Sequence, residues 1–208
     1  MRRRRNSESG SVLIEMVMIV PFLMTLMLAV FELGMMLRSD IVISNASRTG
    51  ARIGASAGQS TSADYSILTG LGNALSSLNS PTINYVVIYD VPSASTSTPP
   101  TSACTPASPA STFHGVSGVC NYYSGANLTT VLAASSVPST FGCSSTDWDK
   151  SWCPSTRVIA QGSSAGPDYL GVAVSITVPT YTRLFGSSKT FTDHFVMRIE
   201  PTANGSTP

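Results

Sequence analysis

Between Met16 and Phe31 the chain carries no charged side chain, and only Pro21 and Thr25 interrupt a run of aliphatic, aromatic and methionine residues. As a helix, Val12 to Leu37 would rise about 39 Å, enough to cross a hydrocarbon core of about 30 Å. Glu15 and Glu32 bracket the run near its two boundaries, where water is within reach of a carboxylate that would be costly at mid-bilayer. Four arginines, Arg2 to Arg5, precede the span, and only Arg38 closely follows it. That asymmetry predicts a cytoplasmic N-terminus, with residues 38–208 beyond a plasma (inner) membrane crossed once.

Two other readings of this layout fare worse. A buried helix of a soluble domain fits poorly beside four consecutive arginines. A removable secretory signal would have a shorter apolar run and a small-x-small site soon after it. Here Val30-Phe31-Glu32-Leu33 supplies bulk and charge instead, and Ala55-Ser56-Ala57 comes too late. The segment is expected to be retained.

Gly10 is followed by Ser-Val-Leu-Ile-Glu, which sets a carboxylate, Glu15, five positions after a glycine at the edge of an apolar helix. This resembles the processing site of type IV pilin-like precursors. The resemblance implies cleavage by a prepilin peptidase between Gly10 and Ser11, with Glu15 retained in the mature helix. Further on come Pro21, then Phe31-Glu32-Leu33-Gly34, then Asn45-Ala46-Ser47-Arg48-Thr49-Gly50-Ala51-Arg52. This run is similar to the TadE-like family of minor pilins, whose pattern has an acidic residue, "LP", "EFG" and "NAAREGAR". Here "VP" stands for "LP" and "FELG" for "EFG". The similarity covers residues 10–52. It implies an assembly role for Glu15, Pro21 and Glu32, and partners among other pilin-like subunits and the membrane platform of a Tad (Flp-type) pilus.

Beyond the span the helix is expected to continue over 38–58, with Ile43, Ala46, Gly50, Ile53 and Ala57 recurring at steps of three and four. Gly50 and Gly54, four apart, would let another backbone come close. Ala46, Gly50, Ile53 and Gly54 are therefore candidate packing positions, either in a filament or against the chain's own globular part.

The whole chain has 12 Lys+Arg against 11 Asp+Glu. Loss of residues 1–10 would leave 8 against 10, so the basic head reads as a topology signal and the rest has no field to steer an ionic partner. Nucleic-acid binding would need far more positive charge. The four cysteines, Cys104, Cys120, Cys143 and Cys153, all lie beyond the span, and an even number there suggests two disulfides. Three connectivities are possible, of which the sequence-local pairing Cys104–Cys120 and Cys143–Cys153 is favoured. Neither their spacing nor the two scattered histidines, His114 and His194, suits a metal, and no cofactor is expected.

The remainder, 59–200, reads as an α+β domain. A helix is predicted over 60–80, with Leu68, Leu71, Leu75 and Leu78 as its core stripe. Strands are predicted from Ile83 to Val91, with apolar residues on both faces, from Leu170 to Val178, and from Phe191 to about Glu200. The whole is then a long N-terminal helix and a second helix on an antiparallel sheet of about three strands. Residues 92–166, rich in Ser, Thr, Pro and Gly, read as a disulfide-stapled insertion, whose Trp148 and Trp152 either form an exposed contact surface or, as is more usual, pack under their own loop. Residues 201–208 read as a fraying tail.

Gly162-Ser163-Ser164-Ala165-Gly166 matches a hydrolase pattern, with Asp193 and His194 downstream. A nucleophile elbow needs a strand entering and a helix leaving, and adjacent strand residues point to opposite faces. The match is discounted, and no enzyme is expected. The alternative to a pilin-like subunit is a single-pass anchor presenting a surface binding domain.

Overall fold

The computed structural model describes residues 9–92, 98–159 and 166–200. Helix α1 runs from Ser9 to Ala57 without interruption, with Pro21 inside it. At 1.5 Å per residue it spans about 74 Å. From Val12 to Phe31 nearly every side chain is exposed; from Glu32 onward a buried stripe emerges through Ser39, Ile43, Ala46, Ser47, Gly50, Ala51, Gly54 and Ala55. Steps of three and four keep these positions on one face, which is where the helix meets the globular part.

That part contains α2 (Ala63–Leu75), β1 (Thr82–Val91), β2 (Gly115–Val116), β3 (Cys120–Ser124), α3 (Gly125–Ala133), β4 (Tyr169–Pro179) and β5 (Ser188–Arg198). The strands form one antiparallel sheet in the order β2-β3-β1-β4-β5. The class is α+β, as expected, but the sheet has five strands rather than about three. The two additional ones, and α3, come from the stretch read as an insertion. Within that stretch, residues 115–124 extend the sheet on the side of β1 away from β4.

Strand β1 lies between β3 and β4, and a core covers each of its faces, which explains why both are apolar. Val86 and Ile88 enter the main core with Leu170, Val172, Val174 and Ile176 of β4 and with Ile67, Leu68 and Leu71 of α2. Val87, Tyr89 and Val91 enter a second core on the opposite face, with Cys104, Cys120, Tyr122, Ala173 and Val196. The stretch around Phe113 and Val116 covers that second face, and the Tyr89 hydroxyl donates to the Thr98 carbonyl at 2.7 Å. The polar, proline-rich tract thus serves as a lid on apolar surface that β1 would otherwise expose.

Cysteine pairing follows the local scheme: Cys104–Cys120 and Cys143–Cys153. The first holds the cover on the second face. The second closes a loop whose aromatic residues pack beneath it: Phe141 meets Tyr65, Tyr123 and Trp148, and Trp152 is buried. Ser124 caps α3 through a reciprocal arrangement with Asn127.

Candidate functional site

The residues singled out for assembly lie along α1. Gly10 and Ser11 fall in its first turn. Glu15 is exposed. Glu32 lies seventeen positions further on, about 26 Å along the axis, close to the thickness of a hydrocarbon core. Among the described residues α1 is the one helix long and apolar enough to span a membrane, and none of its apolar window is buried against the rest of the chain. That composition suits a single-pass anchor. Pro21 cannot donate to the Val17 carbonyl, which leaves one gap in the helical ladder midway along the exposed stretch.

Glu32 behaves differently from Glu15. It is 1 % exposed, and its carboxylate accepts from the Tyr181 N–H at 3.1 Å, the Thr182 N–H at 2.8 Å and the Thr182 hydroxyl at 2.7 Å. The Phe31 and Tyr181 rings meet edge to face, 6.2 Å apart. Glu32 therefore fastens α1 to the β4–β5 connection of its own chain, its oxygens already satisfied there. A cleft beside it, between Met36, Leu78, Tyr181 and Phe191, encloses about 30 Å³, room for a water rather than for a ligand.

Ala46, Gly50, Ile53 and Gly54 are occupied by the chain's own domain. A Cβ on Gly54 would come within 2.7 Å of Ile67 Cδ1 and 2.9 Å of Leu170 Cδ2, and one on Gly50 within 3.2 Å of Val172 Cγ1. Ala46 is fully buried, and Ile53 packs against the main core. The small residues bring α1 close to α2 and β4, so this face is not free for another subunit's helix. The Ser47 hydroxyl adds a polar tie to Asp193 of β5 at 2.6 Å, and Arg48 lies over the Phe195 ring.

A buried network that no local sequence signal announced locks the domain. Asp64 of α2 accepts from Arg157 Nη2 at 2.5 Å, from the Tyr123 hydroxyl at 2.7 Å and from Asn121 Nδ2 at 2.8 Å. Asn121 also exchanges hydrogen bonds with the backbone of Trp152, and the Arg157 guanidinium stacks 4.3 Å above the Trp152 ring. Asp64, Asn121 and Arg157 have no exposed surface. Burial, reinforced by the Asp64 carboxylate, pushes the Tyr123 phenol well above its usual range, so it remains a donor. Nearby, Asp149 gathers the N–H groups of Gly142 and Cys143; burial raises its carboxyl despite those donors. Through Asp64, Asn121 and Arg157 the cluster ties α2, β3 and the 152–157 segment together, while Arg157 Nε and Nη1 are buried without a hydrogen-bond partner.

Residues 160–165, with most of the G-x-S-x-G pattern, lie outside the described residues, as does the tail from Pro201. Asp193 is turned toward Ser47 of α1. Among the described residues no group of three or more His, Cys, Asp or Glu side chains is placed to hold a metal ion.

Neither the curated proteins nor the solved structures include a match to this chain. A family model, described as TadE-like protein, matches residues 10–52. Those bounds enclose the glycine–glutamate spacing, the exposed apolar helix, Glu32 and most of the glycine-bearing stripe. Over residues 10–52 this chain is similar to the TadE-like family, as its sequence pattern led us to expect.

Proposed function

We propose that this is a TadE-like minor pilin: a structural subunit, not an enzyme, of a Tad (Flp-type) pilus. A prepilin peptidase cleaves it between Gly10 and Ser11. Helix α1 then holds it in the plasma membrane with the globular domain outside. The membrane platform draws it, with other pilin-like subunits, into the base or tip of a filament. One observation carries the reading: the family match takes in Val12 to Val30, where the apolar side chains of α1 stay exposed instead of packing on their own chain. An anchor that only presented a domain would need the apolarity but not the glycine–glutamate spacing.

In this reading Glu15 pairs with the new amine at Ser11 of a neighbouring subunit, because a carboxylate at the edge of lipid is unfavourable alone and a charge-assisted pair satisfies it. Replacing one partner of such a pair typically costs about 3–5 kcal/mol. Glu15→Ala should therefore cut recovery in sheared pili roughly 100-fold or more while membrane levels stay normal. Undiminished incorporation of the variant would contradict the assigned role of Glu15.

A further inference from the structure

The β4–β5 connection is built to expose what soluble loops avoid exposing. Leu184 is 47 % exposed, Phe185 52 % and Tyr181 50 %, and Arg183 and Lys189 are exposed beside them. The loop holds its own shape: Thr180 N–H donates to the Ser187 carbonyl at 3.2 Å, Gly186 N–H to the Arg183 carbonyl at 3.3 Å, and the Thr180 hydroxyl bonds the Gly186 carbonyl. Arg183 and Gly186 take left-handed backbone conformations, at φ 58° and 103°, which turn the chain at the tip. An ordered turn that presents a leucine and a phenylalanine outward marks a contact surface.

The position of the tip identifies the contact. Following the hairpin toward its tip, Glu200 N–H bonds the Ala55 carbonyl, Asp193 bonds Ser47, and Tyr181 and Thr182 bond Glu32. Each step moves toward the N-terminal, apolar end of α1. The turn at 183–186 thus lies at the level where the exposed apolar stretch of the helix begins, and its apolar surface is continuous with Phe31 through the Phe31–Tyr181 contact. We infer that the β4–β5 turn is a second membrane contact, with Leu184 and Phe185 seated in the interfacial layer of a bilayer and Arg183 and Lys189 at its phosphates. Aromatic and cationic residues are the side chains that favour this layer. Glu32 then acts as the joint that fixes the domain's height and tilt over the lipid. The inference rests on α1 spanning a membrane, but not on pilus assembly.

The test uses the full chain in vesicles of phosphatidylcholine with a minor share of phosphatidylglycerol. The four native cysteines are paired, so Leu184→Cys, Phe185→Cys, Ser136→Cys and Met24→Cys each introduce one thiol for a nitroxide label. Collisions with oxygen and with a water-soluble nickel complex report the surroundings of each label. The inference predicts that positions 184 and 185 favour oxygen over nickel, intermediate between lipid-buried position 24 and water-exposed position 136. Nickel access equal to that at position 136 would overturn it. So would protection from both agents, which would indicate a protein neighbour instead. A nickel-accessible label at position 24 would refute the membrane span itself, and with it the reading on which this inference stands.

Discussion

Arg157→Ala should lower the stability of the globular domain by about 3–5 kcal/mol, the usual cost of leaving a buried charge without its partner. Asp64 would remain fully buried, with only the Tyr123 hydroxyl and Asn121 Nδ2 to solvate its carboxylate, and the Trp152 ring would lose the guanidinium stacked on it. Thermal unfolding of the full chain in detergent, followed by near-ultraviolet circular dichroism of its aromatic residues, reads this as a fall in Tm of about 6–20 °C. Asp64→Ala should cost a similar amount. The double variant should cost less than the two singles together, since each single change strands the other charge and the double strands neither. Additive losses would show that the two residues act independently, against the geometry. The buried pair is not thereby the best filling for this site: well-packed apolar residues often do as well. What it does supply is register, joining α2, β3 and the 152–157 segment through one carboxylate.

The disulfides carry the second large effect. Closing loops of these lengths restricts the unfolded chain enough to stabilise the fold by about 3 kcal/mol each. Replacing Cys104 and Cys120 together by alanine should bring about that loss and, in addition, loosen the stretch over Val87, Tyr89 and Val91, since the bridge sits within the second core. The paired change at Cys143 and Cys153 should cost a comparable amount but act elsewhere, on the loop beneath which Trp148 and Trp152 pack. Amide hydrogen exchange separates the two: the first pair should deprotect β1 and β3, and the second the segment 141–157. Identical exchange patterns would mean that the bridges do not act locally.

Which parts of this architecture were legible follows from how far each signal reaches. The span and its continuation read directly, because a long apolar run and a three-and-four periodicity are local properties of α1. Strands β1, β4 and β5 announced themselves by alternation, and β1 by apolar residues on both of its faces. Strand β3 did not, because its apolar content is two tyrosines beside a buried asparagine, set in a tract whose composition argues for loop. Helix α3 is short, and its Ser124–Asn127 cap is a weaker cue than one ending in glutamate or glutamine. The local cysteine scheme could be favoured, though not fixed, from spacing alone.

Contacts between distant positions were out of reach. Asp64 reads as a favourable acid in the first turn of α2, and Arg157 as an ordinary loop cation; only the fold brings them together across 93 positions. Glu32 is the instructive case. Its place in the family pattern implied assembly with other subunits, yet its carboxylate is already satisfied by Tyr181 and Thr182, some 150 positions away. Of the two acidic residues in the pattern, Glu15 is left as the one with an exposed carboxylate.

The most direct test of the proposed function is the mature N-terminus, read by mass spectrometry on protein expressed with and without a prepilin peptidase. The account predicts a chain beginning at Ser11 when the peptidase is present and an intact Arg2–Arg5 head when it is absent. The intact head in both samples would contradict it, and would leave a membrane-anchored surface domain outside the pilin pathway.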